Sequence, residues 1–313
     1  MYEVIVNPAG ASGQARDKWK HAKRIFDFRK IPYREHFSTQ EKGIKEIARE
    51  LTLPGGERTL VVVGGDGSLN QVVNGIVDFE GTTIGFIPCG SGNDLARSLN
   101  IPLNVPDSVD IICRGNTRLL DIGEATLLDP VDGDMKPHDP VTWRFNISCG
   151  IGFDAEICEM ARRSKWKDAL NRVHLGKLIY IGVALKQIFV TKKSKGVVVE
   201  DGRKKDFDDL LLVVAMIQPY EGGGFMFAPE ASASDGKFDI CIADGLSRND
   251  FFRIFPSAYS GNHVMFNGVY IDRARKAEFH MERQMWVHAD GETEFMAKNV
   301  SLRVMEERLK LIV

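Results

Sequence analysis

The 313-residue sequence predicts an α/β protein with a parallel-sheet N-terminal domain and a β-rich, antiparallel, sandwich-like second domain. Three observations predict it. The length asks for about two domains at roughly 150 residues each. Residues 1–125 alternate short apolar runs with helical patterns, as right-handed βαβ units do. Beyond residue 140, strand-like runs follow one another with few helices between them, which favours antiparallel pairing.

The elements follow in order. Strands are expected at Tyr2–Val6, Tyr33–Phe37, Thr59–Val63 and Thr82–Ile87. Helices are expected near Ala15–Lys30, Gly43–Leu51, Leu69–Phe79 and Ser91–Leu99. Leu128–Pro140 holds three prolines and four aspartates and reads as a linker or surface loop. After it, Thr142–Ser148, Gly196–Glu200, Leu210–Ile217, Phe238–Ile242, Gln284–His288 and Ser301–Met305 read as strands around one long helical stretch, Lys167–Val190. This places an α/β domain at 1–128 and a β-rich domain at 129–302.

Apolar residues make up 43% and charged residues 27%, enough for a core that needs no staples. Lys and Arg number 41 against 43 Asp and Glu, a net charge of −2. That balance excludes a generally basic nucleic-acid binder and an acidic disordered chain. The charge is unevenly spread, however. Residues 159–205 carry thirteen Lys or Arg against four Asp or Glu, a local +9. The segment includes Arg162, Arg163, Lys165, Trp166 and Lys167, a combination suited to docking on anionic lipid or to a solvated helix face. Phe225-Met226-Phe227 and Phe251-Phe252-Arg253-Ile254-Phe255 read as core or as apolar membrane loops.

The five cysteines are widely spaced with no C-x-x-C, which fits a reducing compartment. The longest apolar run, Leu210–Ile217, falls far short of the ~20 residues a bilayer span needs. A strand-like Tyr2–Val6 leaves no signal peptide at the start, so the expected location is cytoplasmic.

The strongest local signal is the run Val61 to Asn70, where a β-branched strand ends in Gly64-Gly65-Asp66-Gly67 and a helix begins near Ser68. Glycines let the backbone turn sharply and approach a ligand, and a helix start offers N–H groups to phosphate. A plain reading is a tight βα turn with Asp66 or Ser68 as N-cap. Neither the dinucleotide G-x-G-x-x-G nor a P-loop is present. The arrangement recurs, however. Pro88-Cys89-Gly90-Ser91-Gly92-Asn93-Asp94 follows the fourth strand, and Asn7-Pro8-Ala9-Gly10-Ala11-Ser12-Gly13 follows the first. Three such turns at one edge of a parallel sheet predict a phosphate or nucleotide cleft.

These motifs resemble the diacylglycerol kinase catalytic domain family, lipid kinases related to sphingosine and ceramide kinases. Gly64 to Gly75 resembles its GGDGT-x-N-E-V-x-N-G signature, and Asn7-Pro8 with Ser12-Gly13 its N-P-x-S-G opening. Ser38-Thr39 with Gly43 and Glu46-Ile47-Ala48, and Pro88 to Arg97, match two further segments. Asn146 with Gly150 to Ala155 resembles N-x-x-x-G-x-G-F-D-A. Ser234 to Asp239 resembles D-G-x-L-D, and Asp290-Gly291-Glu292 the closing D-G-E. The motifs run in family order from residue 7 to residue 292.

The resemblance implies an ATP- and Mg²⁺-dependent lipid kinase. It implies nucleotide contacts at Asn7, Pro8, Ala9, Gly10, Ala11, Thr39, Gly64, Gly65, Asp66, Gly67, Ser68, Asn70, Ser91 and Asn93. It implies a magnesium–water network at Asp66, Asp94 and Asp121, and a second, structural magnesium on Asp235 with main-chain oxygens of Ser232 and Lys237. The base is expected at Asp290 or, second, Glu292; taken alone, D-G is also a common hairpin turn. Thr39 could instead cap the following helix, and the acids could be turn or cap residues. By the same resemblance, residues 303–313 return to the first domain. Two positions depart from the signature: Ser68 for threonine, and Gln71 for glutamate, which removes a charge. The expected partner is a lipid substrate at an anionic membrane surface, reached by peripheral, reversible binding. No nucleic acid is expected, and a homodimer is left open. The alternatives are an NAD kinase-like phosphotransferase, which shares the GGDG turn, and a catalytically weak lipid- or nucleotide-binding protein.

Overall fold

A computed structural model describes residues 1–8, 10–163 and 176–313. Ala9, Lys165, Trp166 and the first part of the expected 167–190 helix lie outside the described residues. The chain divides into two compact units: unit 1 is Met1–Leu120 with Glu306–Val313, and unit 2 is Asp121–Met305.

Unit 1 is a parallel sheet of β1 (Tyr2–Val6), β2 (Tyr33–Phe37), β3 (Arg58–Gly64) and β4 (Thr82–Pro88), in the order β2-β1-β3-β4. Lys310 and Leu311 add a parallel stretch beside β4. β3 reads Leu60-Val61-Val62-Val63, buried throughout, as expected for a strand covered on both faces. Helix α1 (Gln14–Phe28) buries Ala15, Trp19, Ala22 and Phe26, one stripe at helical spacing. Trp19, Phe26 and Tyr33 meet edge to face, which locks α1 to the sheet. α2 (Ile44–Thr52), α3 (Asp66–Gly75), α4 (Asp94–Ser98) and α5 (Val105–Arg114) complete the unit. α5 escaped the sequence pattern, yet its ends are well signalled. Asn104 accepts from the Asp107 amide at the start, and Gly115 closes the end at φ 70°.

Unit 2 is strand-rich and antiparallel, as its patterning predicts. β5 (Thr117–Leu127) pairs with β6 (Val141–Phe145). β7 (Ser148–Gly152), β8 (Ser194–Glu200), β9 (Arg203–Met216), β10 (Phe238–Asp244), β11 (Val269–Ala274), β12 (Lys276–Ala289) and β13 (Glu292–Ile312) follow. β9 and β12 each pair with β8 through their first parts and with β7 through their last. Strands shared in this way fold the sheet into two layers around the core of Phe145, Ile151, Val213, Phe238, Phe279 and Val287. The opposite face carries a second cluster under three helices: α6 (Phe153–Arg163), α7 (Gly176–Gln187) and α8 (Arg248–Ser257). A capping box between Ser247 and Asp250 starts α8.

Three details differ from the sequence reading. The single strand expected at 142–148 is broken at Asn146-Ile147 into β6 and β7. The run 251–255 is a helix, with Phe251 buried and Phe252 exposed. The 128–140 loop is tied down, because the Asp129 carboxylate accepts from the Lys298 and Asn299 amides. Among the described residues, no helix is long and apolar enough to cross a membrane.

Candidate active site

In unit 1 the carboxyl ends of the strands converge. The Asn7 amide, just past β1, donates to Ser68 Oγ at 3.3 Å, and Ser38, just past β2, donates to Asn7 Oδ1 at 3.5 Å. The Asn7–Gly10 turn closes through the Gly10 amide on Asn7 O. β3 runs into α3 with Gly65 as its N-cap, and no side chain caps the helix, so neither Asp66 nor Ser68 serves as N-cap. The two glycine turns after β3 and β4 touch backbone to backbone. A Cβ on Gly65 would lie 3.0 Å from Gly90 Cα, and one on Gly90 would lie 2.9 Å from Gly65 Cα. Only glycine permits this approach, and it leaves a cradle lined by main chain at the start of a ten-residue helix.

The acids beside the cradle are adjacent. Asp66 Oδ2 accepts from the Asp94 amide at 3.1 Å, and both residues are partly or fully buried. Asn93 sits at φ 53°, which turns the chain into α4, and its side chain donates to Gly90 O. Hard carboxylate oxygens next to an anion cradle fit Mg²⁺ by donor type. Thr39 closes a small turn, accepting from the Lys42 amide, and does not cap α2. Asn70 lies one turn into α3 and accepts from Asn74, and Ser91 is exposed. Gln71 is exposed on α3, so the departure from the signature glutamate falls on a solvated position. Lys18, which the sequence reading passed over, donates to Pro88 O and Leu103 O. Burial pushes its ammonium pKa down.

In unit 2, Asp290 and Gly291 form a two-residue hairpin turn between β12 and β13, at φ 51° and 79°. Positive φ at both positions explains the Asp-Gly pair. The Asp290 carboxylate is buried and accepts from the amides of Asn146, Ile147 and Ser148, at 3.0, 2.8 and 3.0 Å. The break between β6 and β7 turns those amides inward. Glu292 is exposed.

A second cluster adjoins this turn. His288 Nε2 lies 2.7 Å from Asp154 Oδ2 and 3.1 Å from Glu221 Oε1, and all three residues are buried. The Gly291 amide donates to His288 Nδ1 at 3.2 Å. Burial pushes the His288 imidazole down, but the carboxylates of Glu221 and Asp154 outweigh it and lift its pKa to about 9. A second ring proton displaces the Gly291 contact, worth about 1 kcal/mol, less than two buried carboxylates supply. Nε2 holds a proton in either form. The three donor atoms lie close enough together for a metal ion, and with the ring protonated they form an ion pair. Gly150 makes room for it: a Cβ there would overlap Asp154 Oδ2 and lie 2.6 Å from His288 Nε2. No local spacing marks the cluster, because His288 and Asp154 are 134 residues apart.

Asp154 and Glu221 also line a pocket of about 830 Å³ empty volume, part of it open to solvent, whose walls are otherwise almost wholly apolar. Phe153, Phe225, Phe251, Ile254 and Phe255 form much of the wall. Elsewhere in unit 2, Asp121 Oδ2 accepts from the Gly236 amide at 2.6 Å, which ties it to the turn holding Asp235. Asp235 accepts from the Lys237 amide and pairs with Arg273. Ser232 lies in the same loop, half-buried. Arg273 already pairs with Asp235, so a second metal ion in this loop would compete with that contact.

A glycine-lined cradle at the carboxyl edge of a parallel sheet, in one chain with a strand-rich unit, defines a two-unit protein with a phosphate-binding edge. Residues 2–125 match the family model of the diacylglycerol kinase catalytic domain, and residues 147–313 that of the YegS C-terminal NAD kinase beta sandwich-like domain. The chain belongs to the bacterial lipid kinase family that pairs these two domains. It is 29% identical over 263 residues to a diacylglycerol kinase of Mycobacterium tuberculosis (strain ATCC 25618 / H37Rv), covering 81% of this chain and 78% of that one. It is 26% identical over 293 residues to a diacylglycerol kinase of Bacillus subtilis (strain 168), covering 92% and 88%. Its fold matches a crystal structure of a diacylglycerol kinase from Bacillus anthracis str. Sterne with a TM-score of 0.66 at 17% identity, covering 99% and 96%.

Proposed function

We propose that the protein transfers the γ-phosphate of ATP to the hydroxyl of a diacylglycerol-like lipid, with Mg²⁺, at an anionic membrane surface. The observation that carries the lipid acceptor is the apolar pocket of unit 2. Such a site takes an acyl chain. In unit 1, the main-chain amides of the Gly65–Gly67 and Gly90–Asn93 turns bind the phosphates, the Asn7–Ala11 contacts being implied by resemblance alone, and Asn7 and Ser68 join the ends of two strands. Asp66 and Asp94 hold the metal, and Asp121 completes that set only by resemblance. Bound Mg²⁺ neutralises charge on the phosphate oxygens. In unit 2, Asp290 takes the hydroxyl proton as the oxygen attacks the γ-phosphorus and ADP leaves; Glu292 is the second choice. The base role of Asp290 rests on the resemblance; in the structure, three amides hold its carboxylate in one orientation.

The test is transfer of label from γ-labelled ATP, with Mg²⁺, to diacylglycerol in mixed micelles, to lipid extract, or to NAD. Label in lipid is expected. Label in NAD alone replaces this function with an NAD kinase-like one. ATP binding without transfer to any acceptor leaves a nucleotide- or lipid-binding protein.

A further inference from the structure

Two of the helices that wall the apolar pocket, α7 and α8, show a different face to solvent. On α7 and the turn that ends it, Ala184 and Ile188 face inward, whereas Leu185, Phe189 and Val190 are 42%, 53% and 57% exposed. On α8, Phe251 and Ile254 face inward and Phe252 is 46% exposed. The exposed residues form one patch: the Phe189 and Phe252 rings lie 6.1 Å apart, and the Arg248 guanidinium covers Phe189 at 5.7 Å while donating to Phe189 O. A single exposed apolar side chain is ordinary, but neighbouring aromatics on two adjacent elements are not.

Cations rim the patch. Arg248 lies over Phe189, and Lys186, Lys192 and Arg253, next to or two residues from patch residues in the sequence, are exposed. Of the acids nearby, Asp250 is turned back to cap α8 through Ser247, Glu156 accepts from Gln187 and Thr191, and Asp209 pairs with Lys193. Apolar side chains within a ring of Lys and Arg match the layers of an anionic bilayer, where rings enter the acyl boundary and cations meet the headgroups. A second copy of this chain would bring like charges together around the same face. The patch also shares its helices with the pocket.

We infer that Leu185, Phe189, Val190 and Phe252, with Lys186, Lys192, Arg248 and Arg253, form the surface by which unit 2 docks on anionic phospholipid bilayers. This surface deepens the lipid-kinase reading, on which its purpose rests; the docking itself is measured without catalysis. The experiment is co-sedimentation of the full chain with phosphatidylcholine vesicles, with and without 30% phosphatidylglycerol, at low and high salt. Wild type is expected to bind the anionic vesicles and to be released by salt. Phe189→Ser with Phe252→Ser is expected to lower that binding at least ten-fold at an unchanged melting temperature. Lys186→Glu is expected to weaken it about five-fold or more, from roughly 1 kcal/mol per cation near the surface. With short-chain diacylglycerol in mixed micelles, the double variant is expected to keep wild-type turnover. Equal vesicle binding by wild type and the double variant overturns the proposal. So does concentration-dependent self-association of wild type that the double variant abolishes, which makes the face a contact between copies. Absence of lipid phosphorylation with vesicle binding intact overturns the kinase reading and leaves the docking surface standing.

Discussion

The two units build their polar sites in opposite ways. Unit 1 uses contiguous backbone: two glycine turns pressed together at Gly65 and Gly90, each leading into a helix. Unit 2 uses distant groups: Asp290 on the amides of Asn146–Ser148, and His288 on Asp154 and Glu221. A backbone cradle recognises a generic anion and tolerates side-chain change around it, as the exposed Gln71 illustrates. A buried side-chain cluster tolerates little, because removing one member leaves a desolvated charge behind. The expected consequence is that damage to unit 1 appears in nucleotide affinity and damage to unit 2 in turnover and stability.

The largest expected effect tests that division directly. Asp290→Asn should lower lipid phosphorylation by about 10³-fold, within the usual range for loss of a general base, with ATP affinity unchanged within two-fold. Turnover near wild type would remove Asp290 from the chemistry and move the base to Glu292.

His288 comes next. Its pKa is raised from 6.5 to about 9, so its stabilisation is fully present below 6.5 and is lost as pH rises through about 9. At 1.36 kcal/mol per pKa unit the loss is about 3 kcal/mol. Urea unfolding at pH 7 and pH 10 measures it, and His288→Gln should flatten the difference. An identical pH dependence in that variant would show that the cluster does not hold the ring proton.

Gly65→Ala should weaken ATP binding by roughly ten- to a hundred-fold, about 1.4–2.8 kcal/mol, because the added Cβ forces the two turns apart. Titration calorimetry with ATP reads this, and unchanged affinity would show that the cradle is not the phosphate site. The smallest effect is expected at a surface pair. Arg273→Gln breaks the half-exposed contact with Asp235 and should cost at most about 1 kcal/mol of stability. If it instead makes stability depend on Mg²⁺, the loop at Asp235 holds a metal after all.

Most of the fold was legible. The strands of unit 1 follow from β-branched runs such as Val61-Val62-Val63, and their alternation with helices dictates parallel pairing. The elements that escaped had weak or ambiguous patterns. α5 is short, and Phe251–Phe255 carries an apolar run that helix and loop share. β6 and β7 merge in the sequence because nothing at Asn146-Ile147 announces a bend. In the candidate site, the glycine turns and the Asp-Gly hairpin stood out because each lies within a few consecutive residues. The contacts made by Asp154, Glu221 and His288 did not, because a lone Asp, Glu or His carries no signal until packing supplies its neighbours.

Neighbouring residues alone specify the alternation of strands and helices, the two-part organisation, and the turns where the backbone must adopt glycine conformations. These depend on local dihedral preference and on hydrophobic period, which consecutive residues encode. Which carboxylate faces which amide or imidazole, where an apolar pocket opens, and which aromatics remain in water are set by the packed fold. Those outcomes depend on desolvation and packing among residues far apart in the chain, such as His288 and Asp154, whose energies exist only once the layers close around them.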